Sequence, residues 1–307
     1  MTRQPANPMG DEAQRDGRPS QGRAATRMAA APGAVPPRRQ SSPHPPGRTA
    51  LISGASSGIG EELARCFAKG GFDLVLVARS ADKLRALANE LHAAHGTTVS
   101  VQPADLCHPG AAATLAAALR RKGLTVDVLV NSAGVLEQGA FCDTAPQRHQ
   151  ELVELNVAGL TAMLAQFLPG MRERGWGRVL NLASIAAFQP VPTLATYAAT
   201  KAYVLSLTES LSEELKGSGV TVSALCPGLT ATQMVRRATE ANDKLRRLPA
   251  FLIGDAAEVA AEGYRACLNG EVIRVPGWLN LAGTLAARAT PKWLLRSFSG
   301  ALVRNSL

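Results

Sequence analysis

Several familiar motifs are missing from this chain of 307 residues. Its five cysteines are odd in number and include no CxxC pair, so we expect reduced, mostly buried thiols rather than disulfides. No uninterrupted run of about 18 apolar residues occurs, and the N-terminus lacks the apolar core of a signal peptide. The histidines at positions 92, 95, 108 and 149 have no partners at metal-ligand spacing and are interpreted as surface residues. These absences predict a cytoplasmic protein without a metal site.

Acidic residues are too few to balance the 33 Lys and Arg residues, and the net charge is +9. Much of the excess lies in the first 47 residues, which hold seven Arg against three acidic residues and nine of the 19 prolines. This segment has almost no large apolar side chains, so it cannot bury enough surface to offset the entropy of ordering. We therefore predict a disordered tail over residues 1–47. No recognised nucleic-acid motif accompanies the charge, so nucleic acid is not an expected partner.

From residue 48 onward, short apolar runs alternate with Ala- and Leu-rich segments of helical period. The first run leads through a Gly-rich turn into a helix predicted over residues 59–69. The apolar runs, which we predict to be strands, cover residues 49–53, 74–78, 99–103, 126–131, 178–182 and 220–226. Strands that alternate with helices over this length predict a single α/β domain at residues 48–270. Its expected form is a Rossmann-like, doubly wound parallel sheet with helices on both faces.

A glycine-rich turn follows the first predicted strand and has the spacing GxxxGxG. Glycines allow a tight turn and a close approach of the backbone to a pyrophosphate, and the next helix offers the N–H groups of its N-terminus to the anion. Three glycines alone could serve any tight turn, but their position after the first strand favours a dinucleotide site. The candidate cofactor contacts in the turn are Gly54, Ser56, Ser57, Gly58, Ile59 and Gly60.

The second predicted strand lacks the acidic residue that a site for NAD places near its end to bind the ribose hydroxyls. Ala78 stands there instead, followed by Arg79, whose planar cation suits the 2′-phosphate of NADP. We therefore expect NADP(H) to be preferred, with NAD(H) as the alternative. Arg79 could also be an ordinary surface residue that caps the strand.

Small and polar residues follow the third and fourth predicted strands. Asp105 and Leu106 come after the third strand, and Asn-Ser-Ala-Gly, residues 131–134, comes after the fourth. Open α/β sheets bind ligands at the carboxyl ends of their strands, where small residues let a ligand lie close to the backbone. Each segment alone could be an ordinary turn. Together they extend the candidate cofactor contacts to Asp105, Leu106, Asn131, Ala133 and Gly134.

A serine, a tyrosine and a lysine form the most specific pattern in the chain. Ser184 ends the fifth predicted strand, and Tyr197 and Lys201 lie four residues apart on one face of a predicted helix. A nearby ammonium favours the phenolate, so we expect Lys201 to lower the pKa of Tyr197 from roughly 10 toward neutrality. Tyr197 would then exchange a proton with an alcohol or carbonyl oxygen that Ser184 holds by a hydrogen bond.

Taken together, these motifs resemble those of the classical short-chain dehydrogenase/reductase family over residues 48–270. The Gly-rich turn, the Asn-Ser-Ala-Gly variant of the family's Asn-Asn-Ala-Gly, and the order Ser…Tyr-x-x-x-Lys occur in register. The resemblance adds Asn156 as a fourth catalytic position beside Ser184, Tyr197 and Lys201. It implies that Tyr197 and Lys201 also contact the cofactor. The Pro-Gly motif after the sixth strand adds the last cofactor contacts, Pro227, Gly228, Thr230 and Thr232.

The resemblance implies an NADP(H)-dependent oxidoreductase that moves a hydride between the nicotinamide and a carbonyl or secondary-alcohol carbon, with Tyr197 as proton donor or acceptor. It further implies that Lys201 holds the nicotinamide ribose and that the backbone carbonyl of Asn156 supports a proton relay through a water. Ser53 and Ser132 depart from the family's usual Thr and Asn, but both can hydrogen-bond locally. Two alternatives stay open: a non-catalytic NADP(H)-sensing protein of the same fold, and an epimerase or dehydratase acting on nucleotide sugars.

Residues 271–307 form a basic, amphipathic extension with no acidic residue after Glu271. Leu294, Phe298 and Leu302 lie on one stripe of a helix that would start at Pro291. This stripe would either touch an anionic membrane or pack on the protein itself or on a second subunit. The resemblance places the family's substrate lid at residues 227–252 of this chain. The apolar residues of this segment are compatible with a lipophilic ketone, aldehyde or acyl carbonyl as substrate. We expect a homodimer or a homotetramer.

Overall fold

A computed structural model of the protein describes residues 47–231 and 253–290. The strands are Thr49–Ser53 (β1), Asp73–Ala78 (β2), Val99–Pro103 (β3), Val128–Asn131 (β4), Gly177–Leu182 (β5), Val220–Leu225 (β6) and Ile273–Arg274 (β7). The α-helices are Gly58–Lys69 (α1), Ala81–His95 (α2), Ala111–Arg121 (α3), Pro146–Val153 (α4), Leu160–Glu173 (α5), Ala195–Glu214 (α6), Ala256–Asn269 (α7) and Trp278–Ala289 (α8). A π-helical turn, Glu154–Gly159, joins α4 to α5, and short 3₁₀ turns cover Phe141–Asp143 and Ile185–Phe188.

The seven strands run parallel in one sheet, in the order β3-β2-β1-β4-β5-β6-β7. The chain moves outward from β1 to β3 and then returns to the centre, where β4 pairs with the other side of β1. The strand order therefore reverses between β1 and β4, whose last residues, Ser53 and Asn131, are in register. In an open parallel sheet this reversal opens a crevice at the carboxyl ends of the strands, so a ligand site is expected beyond these two residues.

Helices cover both faces of the sheet because its strands carry apolar side chains on both sides. Helices α1, α2 and α7 pack on one face, against alternate strand residues that include Ala50 and Ile52. Helices α3, α5 and α6 pack on the other face, against the residues between them, such as Leu51. All five residues of β1 are buried. The two apolar layers bury both faces of the sheet, and the loops at the strand ends project from this packed core.

The segment from Pro146 to Glu173 is helical throughout, with the π-helical turn in its middle. Within the described ranges, it is the one run that is long and apolar enough to cross a bilayer by length and composition. Leu160, Met163 and Met171 on this segment are nevertheless buried in the core against the sheet. Such burial is typical of a core helix, so we interpret the segment as part of the domain core.

The predicted fold class is confirmed by the sheet and its two helical layers. Strand β7 was not predicted, because a two-residue strand has no periodic signal. Both β7 and α8 belong to the segment that we predicted as an extension, so the sheet continues beyond residue 270. The domain boundaries stay predictions. The predicted tail up to residue 46, the lid from residue 232 to 252 and the helical stripe beyond Pro291 lie outside the described residues.

Candidate active site

The glycine-rich turn between β1 and α1 lies against the loop that follows β4. Gly54 has a φ of +70°, and a Cβ on it would lie 2.8 Å from the backbone nitrogen of Ala133. A Cβ on Gly60 would overlap the carbonyl oxygen of Gly54. Both positions therefore need glycine, and the turn presents bare backbone to the cleft between β1 and β4.

Ser53 joins the ends of β1 and β4 through three hydrogen bonds. Its hydroxyl donates to the carbonyl of Val130 at 3.2 Å and accepts from the backbone N–H groups of Ser132 at 3.1 Å and Ala133 at 3.2 Å. We expected Ser53 to form local hydrogen bonds although the family usually has threonine here, and these bonds are present. They fix the spacing of the two loops that line the cleft.

Helix α1 begins at the cleft with an open N-terminus. Ser57 precedes the helix in extended backbone, and its side chain makes no capping hydrogen bond to the described residues. Ser56, Gly58 and Ile59 line the cleft beside it. The N–H groups of the first turn and the positive end of the helix dipole form a site suited to an anionic pyrophosphate.

The end of β2 brings a cation to the cleft. The side chain of Arg79 is 71% exposed, and its Nη1 atom lies 4.0 Å from Oδ2 of Asp105. Partial burial alone would raise the pKa of Asp105, but the hydrogen bond from the backbone N–H of Cys107, at 3.1 Å, and the charge of Arg79 outweigh burial and lower the pKa. An exposed guanidinium at this distance from its carboxylate is available to a phosphate.

Asn131 ends β4, but its side chain is buried below the cleft. Its Nδ2 atom donates to Oδ1 of Asn181 on β5 at 2.9 Å, and Asn181 donates to the hydroxyl of Thr208 on α6 at 2.9 Å. The Oδ1 atom of Asn131 has no hydrogen-bond partner in the described ranges. Asn131 therefore joins β4 to β5 and α6, whereas Ala133 and Gly134 line the cleft directly.

The serine, tyrosine and lysine of the predicted catalytic pattern come together where β5 and α6 meet the cleft. Ser184 follows β5, accepts a hydrogen bond from the N–H of Ala186 at 3.1 Å and lies close enough to the phenol of Tyr197 to favour its ionised form. Lys201 lies one turn after Tyr197 on α6 and is buried. Its Nζ atom donates to the carbonyl of Leu182 at 2.7 Å and lies 5.7 Å from the centre of the Tyr197 ring.

The expected lowering of the Tyr197 pKa by Lys201 is not found, and that prediction is wrong. Burial raises the pKa of Tyr197 to about 12, and the hydrogen bond with Ser184 opposes this rise without overcoming it. Burial also lowers the pKa of Lys201 to about 8. Loss of water disfavours the charged form of each group, so the pKa of the phenol rises and the pKa of the ammonium falls. At neutral pH, Tyr197 is therefore a phenol and Lys201 is mostly charged.

Asn156 lies in the π-helical turn, in which hydrogen bonds span five residues instead of four. Its Oδ1 atom accepts from the N–H of Val135 at 3.0 Å, and its Nδ2 atom donates to the carbonyl of Val135 at 3.0 Å and to the hydroxyl of Thr200 at 3.1 Å. The Thr200 hydroxyl donates in turn to the carbonyl of Tyr197 at 2.8 Å. Asn156 therefore holds the loop after β4 against the first turns of α6.

The segment after β6 forms the remaining side of the cleft. Pro227 lines the cleft, and its carbonyl accepts a hydrogen bond from the N–H of Ile185 at 3.1 Å. Gly228 lies against α8, where a Cβ on it would be 2.6 Å from Oδ1 of Asn280. Thr230 is buried and donates to the carbonyl of Gly228 at 3.1 Å. The predicted contact Thr232 lies outside the described residues.

A model of the short chain dehydrogenase family matches residues 48–243, a range that holds the glycine-rich turn and the four predicted catalytic positions. The chain belongs to the short-chain dehydrogenase family. The family assignment made from the motifs is confirmed, and the protein is an oxidoreductase that acts on CH–OH groups.

Individual relatives agree with this assignment. A candidate ketoacyl reductase of Streptomyces coelicolor is 39% identical over 197 residues, which are 62% of this chain and 74% of the relative. D-β-hydroxybutyrate dehydrogenase of Rhizobium meliloti is 32% identical over 191 residues, again 62% of this chain and 74% of the relative. Among solved structures, a short-chain dehydrogenase from Sphingobium yanoikuyae in complex with NADPH has a TM-score of 0.69 and 34% identity, and the alignment covers 78% of this chain and 93% of that one.

Most of the predicted cofactor contacts line one continuous cleft in this short-chain dehydrogenase. They are Gly54, Ser56, Ser57, Gly58, Ile59, Gly60, Arg79, Asp105, Leu106, Ala133, Gly134, Tyr197, Lys201 and Pro227. Asn131, Gly228 and Thr230 support the lining residues from behind. Asn156 and Ser184 reach the cleft through their contacts with Val135 and Tyr197.

The sequence analysis missed several residues of this short-chain dehydrogenase's cleft. They are Val77, Ser80, Ala104, Val135, Leu155, Leu182 and Ala183. Most of them adjoin a predicted contact at a strand end, so extending each prediction by one neighbour would have found them. His149 on α4, interpreted as a surface residue, has both ring nitrogens hydrogen-bonded. No sequence signal could have found this, because its partners are 8 and 47 residues away.

Proposed function

We propose that this enzyme is an NADP(H)-dependent carbonyl reductase, or in the reverse direction a secondary-alcohol dehydrogenase, in which Tyr197 exchanges the proton with the substrate oxygen. One observation carries the proposal: a single cleft has a group for proton transfer at one end and a group for phosphate binding at the other. Ser184, Tyr197 and Lys201 meet at the first end. The open N-terminus of α1 and the exposed guanidinium of Arg79 form the second.

The cofactor end fits a dinucleotide that carries an additional phosphate. Gly54 and Gly60 keep the backbone bare where a pyrophosphate would lie, and the first turn of α1 supplies N–H groups. Arg79, with the neighbouring Ser80 hydroxyl, suits a 2′-phosphate, and Ala78 adds no negative charge there. The NADPH complex of the Sphingobium relative supports the same choice. When bound, the nicotinamide supplies the hydride in reduction and accepts it in oxidation.

Tyr197 is suited to donate a proton during reduction. Its pKa of about 12 keeps it a phenol at neutral pH, and the Ser184 hydroxyl can hold the same substrate oxygen. As the carbonyl carbon gains the hydride, its oxygen takes the phenolic proton and an alcohol forms. The ammonium of Lys201 stabilises the phenolate until a proton returns from solvent.

We propose that Asn156 supports this return through its backbone carbonyl. Its side chain is already used by Val135 and Thr200, which leaves the main chain to hold the water of a proton relay to Lys201. Its position in a π-helical turn supports this role, because such turns are frequent at functional sites.

The proposed substrate is a lipophilic ketone, aldehyde or acyl carbonyl. Val135, Leu155 and Leu182 give the cleft apolar walls near Tyr197, and Leu229, which is 37% exposed, adds apolar surface next to the Pro-Gly motif. The names of the ketoacyl reductase and hydroxybutyrate dehydrogenase relatives support an acyl carbonyl in particular. Apolar walls favour such a chain because its burial removes apolar surface from water.

The test is NADPH consumption against a panel of an acetoacetyl thioester, a long-chain aldehyde, a steroid ketone and a small cyclic ketone. We expect turnover of at least one of them, faster with NADPH than with NADH. Tight NADPH binding without turnover of any compound would favour the non-catalytic sensing protein. Conversion of a nucleotide sugar without net NADPH consumption would favour the epimerase.

We propose further that the enzyme is a cytoplasmic homo-oligomer. An apolar groove between α5 and α6, lined by Leu164, Leu168, Leu207 and Leu211, supports a contact between two copies. Light scattering on the purified protein tests the proposal, and a monomer at all concentrations would contradict it. The cysteines of the described residues are free, which supports a cytoplasmic location because disulfides form mainly in oxidising compartments. Fractionation of cells tests this location.

We also propose peripheral contact of residues 271–307 with an anionic membrane. Trp278, Leu281 and Leu285 form an exposed apolar stripe on α8, in a segment whose charged side chains beyond Glu271 are all basic. Flotation with vesicles that contain anionic lipid tests it. Equal recovery with neutral and anionic vesicles, or no recovery with either, would contradict the proposal.

A further inference from the structure

Two side chains on the helical segment from Pro146 to Glu173 connect the same pair of elements. Asn156 joins Val135, in the loop after β4, to Thr200 on α6. His149, seven residues earlier, joins Phe141 in the same loop to Thr196 at the start of α6. The loop after β4 is therefore held to α6 at two places, one near the sheet and one further out.

Each ring nitrogen of His149 has a hydrogen-bond partner on a different segment. Its Nε2 atom lies 3.1 Å from the carbonyl oxygen of Phe141, which can only accept, so Nε2 carries the proton. Its Nδ1 atom lies 2.8 Å from the hydroxyl of Thr196, which can donate to this nitrogen or accept from it. The imidazole thus connects the two segments through hydrogen bonds on opposite sides of the ring.

The loops around His149 are themselves tied together and include a strained residue. The Phe141 ring stacks on the His149 ring, with centres 4.2 Å apart and an angle of 24° between the planes. Gly139 donates its N–H to the carbonyl of Thr193 at 2.9 Å, and Thr193 has a φ of +67°. A non-glycine residue in this region persists only where its surroundings hold it. Thr193 lies between Ser184 and Tyr197 in the chain, so the held segment adjoins the reacting groups.

Thr196 and Thr200, the α6 partners of His149 and Asn156, lie next to the reacting side chains along this helix. Thr196 and Thr200 are four residues apart and share one face of the helix. Tyr197 and Lys201 each follow one of them by a single residue. We propose that His149 is a positioning residue: through Thr196 and Phe141 it fixes the segment before Tyr197 and the loop after β4 in the arrangement that binds substrate. This rests on the proposed reductase function.

Loss of the His149 hydrogen bonds should affect the substrate end of the cleft and not the cofactor end. His149 is not among the lining residues, and the cofactor end is held by other contacts, at Ser53 and Gly60. Loss of the His149 hydrogen bonds should therefore loosen both substrate-side loops and leave NADPH binding unchanged. A residue needed only for folding would lower both together.

The test compares His149→Phe, which retains a stacking ring but loses both hydrogen bonds, with His149→Gln, whose amide can donate and accept. His92→Phe is the matched control: His92 hydrogen-bonds the Thr97 carbonyl at 3.1 Å from α2, on the opposite face of the sheet. In the full-length enzyme, hydrogen exchange should become about tenfold faster in peptides covering residues 137–144 and 189–197 of His149→Phe. Exchange there should stay at the wild-type rate in His92→Phe and return most of the way to it in His149→Gln.

Kinetics give the second readout, on whichever panel carbonyl wild type reduces. We expect His149→Phe to raise KM about tenfold with kcat changed by less than about threefold and with an unchanged NADPH dissociation constant. Unchanged exchange in both segments overturns the proposal, and so does a parallel loss of NADPH binding. If wild type reduces no carbonyl, the proposed function fails, while the exchange measurement still decides whether His149 holds the two segments.

Discussion

The two ends of the cleft are held by different kinds of contact. At the cofactor end, the turn after β1 depends mainly on backbone geometry, because Gly54 and Gly60 have no room for a side chain, and the Ser53 hydroxyl hydrogen-bonds the backbone of the loop after β4. At the substrate end, Asn156 and His149 hold the loop after β4 to α6 through side-chain hydrogen bonds. A backbone turn of this kind tolerates little change, whereas a side-chain contact between distant segments can be exchanged one residue at a time.

This difference explains how one fold can keep its cofactor while its substrates diverge. The glycine turn and the strand ends bind parts of a dinucleotide that do not change between reactions. The loops around Tyr197 can change their side chains without disturbing that turn. Substitutions at the cofactor end should therefore alter NADPH affinity, and those at the substrate end should alter kcat/KM for the carbonyl substrate.

The largest effect is expected at the substrate end, from Tyr197→Phe. Removal of the hydroxyl abolishes the proton donor, so kcat/KM should fall by about 10²–10⁴-fold, while the NADPH dissociation constant changes by less than about twofold. Tyr203→Phe is the matched control, since this tyrosine lies on the same helix and its hydroxyl is 2.9 Å from that of Thr161. Stopped-flow kinetics and fluorescence titration measure the two quantities. Turnover of Tyr197→Phe at the wild-type rate would contradict proton transfer by Tyr197.

In contrast to Tyr197→Phe, a substitution in the glycine turn should weaken NADPH binding. The methyl group of Gly60→Ala would overlap the carbonyl oxygen of Gly54 and lie 2.9 Å from the Ser132 hydroxyl, so the turn must shift. We expect NADPH to bind at least about 100-fold more weakly, a loss of roughly 2.7 kcal/mol. Gly96→Ala is the control: its φ is +65° in open space, so it should cost about 1 kcal/mol of stability and leave binding intact. Equal NADPH binding by the two variants would show that the geometry of the glycine turn does not determine NADPH affinity.

Arg79→Ala should distinguish NADPH from NADH at the cofactor end of the cleft. Loss of a charge-assisted contact to the 2′-phosphate should weaken NADPH binding by about 10- to 100-fold and leave NADH binding unchanged. Arg85→Ala, which removes an exposed guanidinium paired with Asp82 on α2, should affect neither cofactor. Calorimetric titration of both cofactors measures this. If Arg79→Ala retains full NADPH affinity, Arg79 is only a surface cap of β2.

The predicted residues of the cofactor end follow from local sequence patterns, whereas the contacts that hold the substrate-end loops do not. Glycines at a strand-to-helix turn and an arginine after a strand are local patterns, and each needs only the elements on either side of it. The six predicted strands follow from local apolar runs in the same way. The contact of His149 with Thr196 and that of Asn156 with Val135 depend on how distant segments pack.

Local sequence patterns also could not predict how deeply Tyr197 and Lys201 are buried. The i, i+4 spacing correctly brought Tyr197 and Lys201 to one place, but it led to the wrong direction for the tyrosine pKa. Spacing reports which charges are near each other, whereas desolvation depends on everything packed around them. Lys201 is buried and Tyr197 is half-buried at the edge of the cleft, and loss of water around each group decides the direction of its pKa shift.

The smallest of these effects is a pH dependence that belongs to the substrate end. Burial lowers the pKa of Lys201 to about 8, so its ammonium is present below that pH and is lost as the pH rises through it. Tyr197, with a pKa of about 12, stays protonated over the same range. The rate of reduction at saturating NADPH should therefore fall about tenfold between pH 7 and pH 9. Lys201→Arg keeps its charge over this range, so whatever activity it retains should be nearly independent of pH. A wild-type rate that is flat to pH 9 would mean that the charge on Lys201 does not stabilise the phenolate, and the role of the lysine would then reduce to holding the Leu182 carbonyl and the cofactor.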